Sequence, residues 1–219
     1  SWVTIATAGR CFGRKMSEVD ELSANWFRTV DLGRLQVNDV ANSIGRLGGL
    51  ATQSGVSLEE VQAALATITI SGVKPAEAIT QVRSAMTSFI KPSDAMKEGI
   101  QNIGFTSSEQ AIGVLGLNGT IEKLIANTDG STQALAKYFP NVRALAGVLN
   151  IAGENAEQFG KALKVLENPD VSNLEEAFDI VTGTDAEKVT KELNKLKNFL
   201  TEEFGQSVLS TGAGLVDLT

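Results

Sequence analysis

The sequence predicts an all-α protein: a multi-helix bundle of short amphipathic helices with glycine-punctuated turns and a longer C-terminal helix. Three observations predict it. Apolar residues recur at spacings of three and four, the helical period, and not at the strand period of two. Only four prolines interrupt 219 residues. Glycine, in contrast, occurs 21 times, and several glycines fall where one apolar stripe stops and the next starts.

The elements follow in order. A first helix is expected over 18–30. A second, over 37–54, places Val37, Val40, Ile44, Leu47 and Ala51 on one face. A third, over 58–71, carries the stripe Leu58, Val61, Leu65 and Ile68, and a fourth, over 75–90, carries Ile79, Val82, Met86 and Phe89. Between the second and third stands Gly55-Val56-Ser57-Leu58-Glu59-Glu60. Gly55 suits the left-handed conformation just past a helix end. Ser57 then caps the next helix, with Glu60 reaching back as its capping-box partner. Gly72-Val73-Lys74-Pro75-Ala76-Glu77 repeats the spacing, with Pro75 suited to a first helical position. Gly104-Phe105-Thr106-Ser107-Ser108-Glu109 repeats it again. Gly55, Ser57, Glu60, Gly72, Pro75 and Gly104 are therefore the residues singled out as structural punctuation, with Gly55 and Gly72 expected at positive φ.

Further on, a short helix is expected from Asp94 to residue 101. Over 105–119 the glycines Gly113, Gly116 and Gly119 are expected to interrupt any regular element. Helices are then expected over 120–127, 131–139, 141–149 and 154–166. Glu167-Asn168-Pro169-Asp170 reads as the internal boundary. It divides the chain into an N-terminal extension (1–16), a helical domain (17–168) and an acidic helical segment (169–219). In the last, Thr184-Asp185-Ala186-Glu187 opens the longest helix, to about residue 204, along which Val189, Leu193, Leu196, Leu200 and Phe204 step by three or four.

Composition excludes several functions. The net charge is −7, without the basic footprint of a nucleic-acid binder. Residues 170–219 hold ten acids against four lysines, which read as a solvated helix face. Histidine is absent and Cys11 is the only cysteine, so His-based triads, His-ligated metals and an internal disulfide are ruled out. No cofactor or metal site is expected. The most apolar stretch, 61–73, lies between Glu60 and Lys74 and is too short to span a bilayer. The chain has no initiator Met and its first residues make a poor signal peptide, so 1–16 is expected to be cut from a longer chain.

Sharper motifs are weak. Glu59/Glu60, Glu175/Glu176 and Glu202/Glu203 are adjacent acids. Neighbours on a helix diverge by about 100° and cannot face each other across a sugar, so capping and solvation are expected of them. Gly45 and Gly49 form a GxxxG spacing interrupted by Arg46, expected to admit a neighbouring soluble helix closely. Gly113, Gly116 and Gly119 superficially suggest a phosphate loop, but no Lys-Ser/Thr follows them. No active site is expected.

In order and spacing, these segments resemble the conserved domain of phage tail tape measure proteins. The most characteristic part is Leu50-Ala51-Thr52-Gln53-Ser54-Gly55-Val56-Ser57-Leu58-Glu59-Glu60-Val61-Gln62-Ala63-Ala64-Leu65. Gly72 to Ala78, Ile90-Lys91-Pro92-Ser93, Ile100 to Gly104 and Phe139 to Leu145 continue it. The resemblance covers about 17–168 and extends weakly to 205. It implies a structural protein of the virion tail, assembled in the host cytoplasm, which sets tail length and leaves ahead of the DNA. It implies as partners the tail tube or tail-tip proteins and tail assembly chaperones, a homo-oligomer, no direct nucleic-acid binding, and membrane contact confined to ejection. Members of the family are usually much longer, so the chain is expected to be a segment of a larger protein. The residues alone leave open a helical adaptor that binds a partner helix in a groove and, third, a helical muramidase.

Overall fold

The structure, a computed structural model, describes residues 19–167, with side chains from residue 45 onward and at 25, 26, 28–36, 39 and 43. Among these residues there are nine α-helices and no strand. They are α1 (Val19–Leu32), α2 (Val37–Ser54), α3 (Leu58–Ile70), α4 (Pro75–Ile90), α5 (Asp94–Asn102), α6 (Ser108–Ala126), α7 (Thr132–Tyr138), α8 (Val142–Ile151) and α9 (Ala156–Glu167), with a 3-10 turn, Gly153–Asn155, before α9. The expected bounds of the second and fourth helices coincide with α2 and α4. The side chains of Val37, Val40 and Ile44, the expected boundary after Glu167 and the long C-terminal helix lie outside the described residues.

The centre of the bundle is α3, in which every residue from Leu58 to Thr69 is buried. Its sequence explains this, because Val61, Ala63, Ala64, Leu65, Ala66 and Ile68 leave no polar face, and a helix apolar all round must be enclosed. Helices α1, α2, α4, α8 and α9 pack around it. The hydroxyls of Thr67 and Thr69 donate to the carbonyls of Ala63 and Leu65, both at 2.8 Å, which satisfies them without a partner outside the helix. Gln62 differs: it is wholly buried and neither its amide nitrogen nor its oxygen has a hydrogen-bond partner.

Small residues set the spacing. A Cβ on Gly33, just past α1, would stand 2.9 Å from Ala66 Cα. A Cβ on Gly99 of α5 would meet the Tyr138 ring at 2.8 Å. Ser93, which caps α5, also donates to the Lys137 carbonyl at 2.9 Å and so ties α5 to α7. Phe89 and Phe139 meet edge to face with centroids 5.6 Å apart, a favoured aromatic geometry.

Two expectations are corrected here. Gly45 and Gly49 do not admit a described neighbour closely: among the described residues, a Cβ on either would meet nothing within 4 Å. The stretch 105–119 is not irregular either. Its glycines lie within α6, whose one interruption is a kink at Gly116.

Candidate functional site

The corner between α2 and α3 is built from local rules. Gly55 takes φ 77°, and the N–H groups of Gly55 and Val56 donate to the carbonyls of Thr52 and Ala51. These are the two bonds of a Schellman cap, which needs a left-handed residue at that position. Ser57 Oγ then accepts from the Glu60 N–H at 3.1 Å, and Ser57 N–H donates to Glu60 Oε2 at 2.9 Å. This is a complete capping box at the start of α3.

Glu60 makes one bond more. Its second carboxylate oxygen, Oε1, accepts the backbone N–H of Leu117, 57 positions along the chain, at 2.5 Å. The donor is available because Gly116 lies at φ 73° and ψ 174°, a region essentially restricted to glycine. That ψ turns the Gly116–Leu117 peptide away from the axis of α6. A Cβ on Gly116 would stand 2.7 Å from Glu60 Oε1, so the glycine supplies both the conformation and the space. One carboxylate thus caps two helix starts, that of α3 and that of the second half of α6. The first half of α6 lies against the same corner: a Cβ on Gly55 would be 3.9 Å from both the Glu109 carbonyl oxygen and Ile112 Cγ2.

Of the punctuation residues, Gly55, Ser57 and Glu60 are thus brought together. Gly72, at φ 95°, and Pro75, first residue of α4, form the turn at the other end of α3, roughly 20 Å away at about 1.5 Å per residue. Gly104, also at φ 95°, ends α5. There Ser107 caps α6 by accepting from Gln110 N–H, and Gln110 Oε1 in turn accepts from Thr106 N–H at 2.8 Å. The expected partner, Glu109, is not the one that reaches back.

The expectation of solvated acids is also corrected. Glu59 and Glu60 are both buried, because the start of α3 is covered by α6 as well as by its own corner. Sequence reasoning passed over Leu117 and Gln62, and read Gly116 only as one of three glycines that interrupt a regular element. Gly116 had a signal, as the middle of three glycines spaced by three, but its partner lies far away in the sequence. Among the described residues, no three His, Cys, Asp or Glu side chains come together in a way that could hold a metal. No described helix is long and apolar enough to cross a membrane.

What the corner offers chemically is connection: both oxygens of the Glu60 carboxylate are taken by backbone amides, those of Ser57 and Leu117. The phage-related minor tail protein family matches residues 2–139, more than half of the chain. The chain belongs to that family. A relative of this minor tail protein is the tape measure protein of Pneumococcus phage Dp-1, 25% identical over 172 residues, which cover 76% of this chain and 15% of the relative. The chain therefore spans only a small part of the length of the relative it matches. No solved structure matches it. The resemblance read from the sequence and the family agree: this is a structural protein of the phage tail.

Proposed function

We propose that the chain is a folded segment of a tape measure protein that docks at one end of the tail and acts in assembly initiation, anchoring or release, rather than as the measuring rod. One observation carries this reading: the described helices fold back around α3, a helix buried on all sides. A ruler must convert residue number into length at a fixed rise, about 1.5 Å per residue in a continuous helix. As a single helix, 219 residues would reach roughly 330 Å. Folded compactly, the same chain has a radius of gyration of about 17 Å and is more than about 40 Å across, which is awkward in a narrow tube. Tail length is then set by helical regions elsewhere in the parent chain.

In this reading residues 17–168 are the docking domain, with 1–16 and 169–219 as its flanking segments. The domain is not an enzyme. Its partners are tail-tip or tube proteins, tail assembly chaperones before assembly, and further copies of itself. The relative from phage Dp-1 supports the tail context by its name and by its much greater length. Cryo-electron microscopy of intact tails with this segment located tests the proposal. Density for a compact helical domain at one end of the tail is the expected result. An extended strand of this segment along the lumen would refute it.

A further inference from the structure

We propose that Glu60 is a latch that holds α6 bent at Gly116, and that its release straightens α6 and lifts the first half of that helix from the α2–α3 corner. The inference is independent of where in the tail the domain sits.

The bend is costly on its own terms. Gly116 leaves helical geometry at ψ 174°, which breaks the run of backbone hydrogen bonds at that turn. Close by, the buried Asn118 Oδ1 has no hydrogen-bond partner, a state that burial normally penalises. The neighbouring glycines do not enforce the kink: a Cβ on Gly113 would meet no described atom within 4 Å, and one on Gly119 would meet only the Cβ of its own helix's Leu115, at 3.3 Å. Val114 stands in solvent on the same turn, 69% exposed.

The Glu60 carboxylate offsets this. It accepts the N–H that the kink releases, through Oε1, while Oε2 stays on Ser57. A hydrogen bond to a charged, buried acceptor is among the stronger ones available. The bent state is therefore selected by one long-range hydrogen bond, beside the core packing of Ala111 and Ile112 before the kink and Leu117 and Ile121 after it. The alternative is a continuous helix over the same 19 residues, in which Leu117 N–H returns to the carbonyl four residues back. Straightening would swing residues 108–115 away from Gly55 and uncover Ala111 and Ile112, both now buried. The fold thus contains a two-position element whose switch point is Gly116 and whose bent position Glu60 selects.

The test uses the whole chain with Cys11→Ser and spin labels at the exposed positions Glu109→Cys and Lys123→Cys. In a straight α6 these Cα atoms are roughly 21 Å apart, and in the bent helix they are closer. Glu60→Ala, and separately Gly116→Ala, should lengthen the label-to-label distance towards the straight value by double electron–electron resonance. A folded Glu60→Ala protein that keeps the parent distance would overturn the latch. If both variants fail to fold, hydrogen exchange in the parent decides. Amides of residues 109–120 exchanging at least about tenfold faster than those of α3 would support an independent opening. Exchange of both segments only together would overturn it.

Discussion

Gly147 lies against the backbone of Gln81, so close that a Cβ there would stand 2.9 Å from the Gln81 carbonyl oxygen and 3.0 Å from its carbonyl carbon. The contact brings α8 onto α4, and the Asn150 amide nitrogen donates to Gln81 Oε1 at 3.0 Å one turn further along. Backbone cannot rotate aside as a side chain can. Gly147→Ala should therefore destabilise the domain by about 1–3 kcal/mol, the usual cost of overpacking. Gly45, where a Cβ would meet no described residue within 4 Å, provides the opposite case. Gly45→Ala should stabilise by about 0.5–1 kcal/mol, because alanine is the better helix former. Urea unfolding of the two variants checks both signs.

The turn glycines should be sensitive for a different reason. Gly55 and Gly72 hold φ of 77° and 95°, and a β-branched residue resists that conformation. Gly55→Val and Gly72→Val should each lose more than about 1 kcal/mol. Gly72 isolates the conformational effect, since a Cβ there would meet nothing within 4 Å. A Gly72→Val protein that melts with the parent would show that this turn relaxes without cost.

The unpartnered Gln62 leads to a stabilising substitution. Its carboxamide is wholly buried and neither polar atom is bonded. Methionine has nearly the same shape without the polar atoms. Gln62→Met should raise stability by about 1 kcal/mol, since an unsatisfied buried group costs about 1–3 kcal/mol. Thermal melting measures it, and a lower midpoint would point to a Gln62 interaction made only when the domain moves.

Two exposed ion pairs fix the sign of a small pH effect. The hydrogen bond from Lys97 and its charge hold the Asp94 carboxyl below the ordinary 3.8, and Lys161 does the same for Glu157 below 4.5. A carboxyl whose folded value is depressed stabilises the fold above its unfolded value and loses that contribution as pH falls through the folded value. Both pairs are in solvent, so the effect should fade with salt. In Lys97→Ala, the Asp94 titration midpoint followed by NMR should rise towards 3.8. An unchanged midpoint would mean that the lysine does not set it.

Local chemistry made much of the fold legible. Gly55, Ser57 and Glu60 state a helix stop and start within six residues, and α2 and α4 have the bounds expected from their stripes and flanking breaks. The burial of α3 on all sides was not read, although Ala63, Ala64 and Ala66 fill the gaps in its stripe. What could not be read depends on residues distant in sequence. Glu60 looks like an ordinary capping acid until Leu117 arrives on its other side. Gly45 and Gly49 carry a spacing that suggests close packing and have none among the described residues, whereas Gly33, Gly99 and Gly147 carry no spacing and are closely packed. A glycine's neighbour across a helix interface is decided by topology, and topology is not a local property.

Whether the domain is docked or is part of the ruler is tested most simply by removing α4 in frame, residues Pro75–Ile90, and measuring tail lengths by electron microscopy. The deletion takes out 16 residues and with them the partner of α2, α3 and α8. A docked, folded domain predicts that tails fail to assemble or fail to infect. Viable tails uniformly shorter by roughly 24 Å, the helical rise of the missing residues, would contradict it and make this segment part of the measuring length.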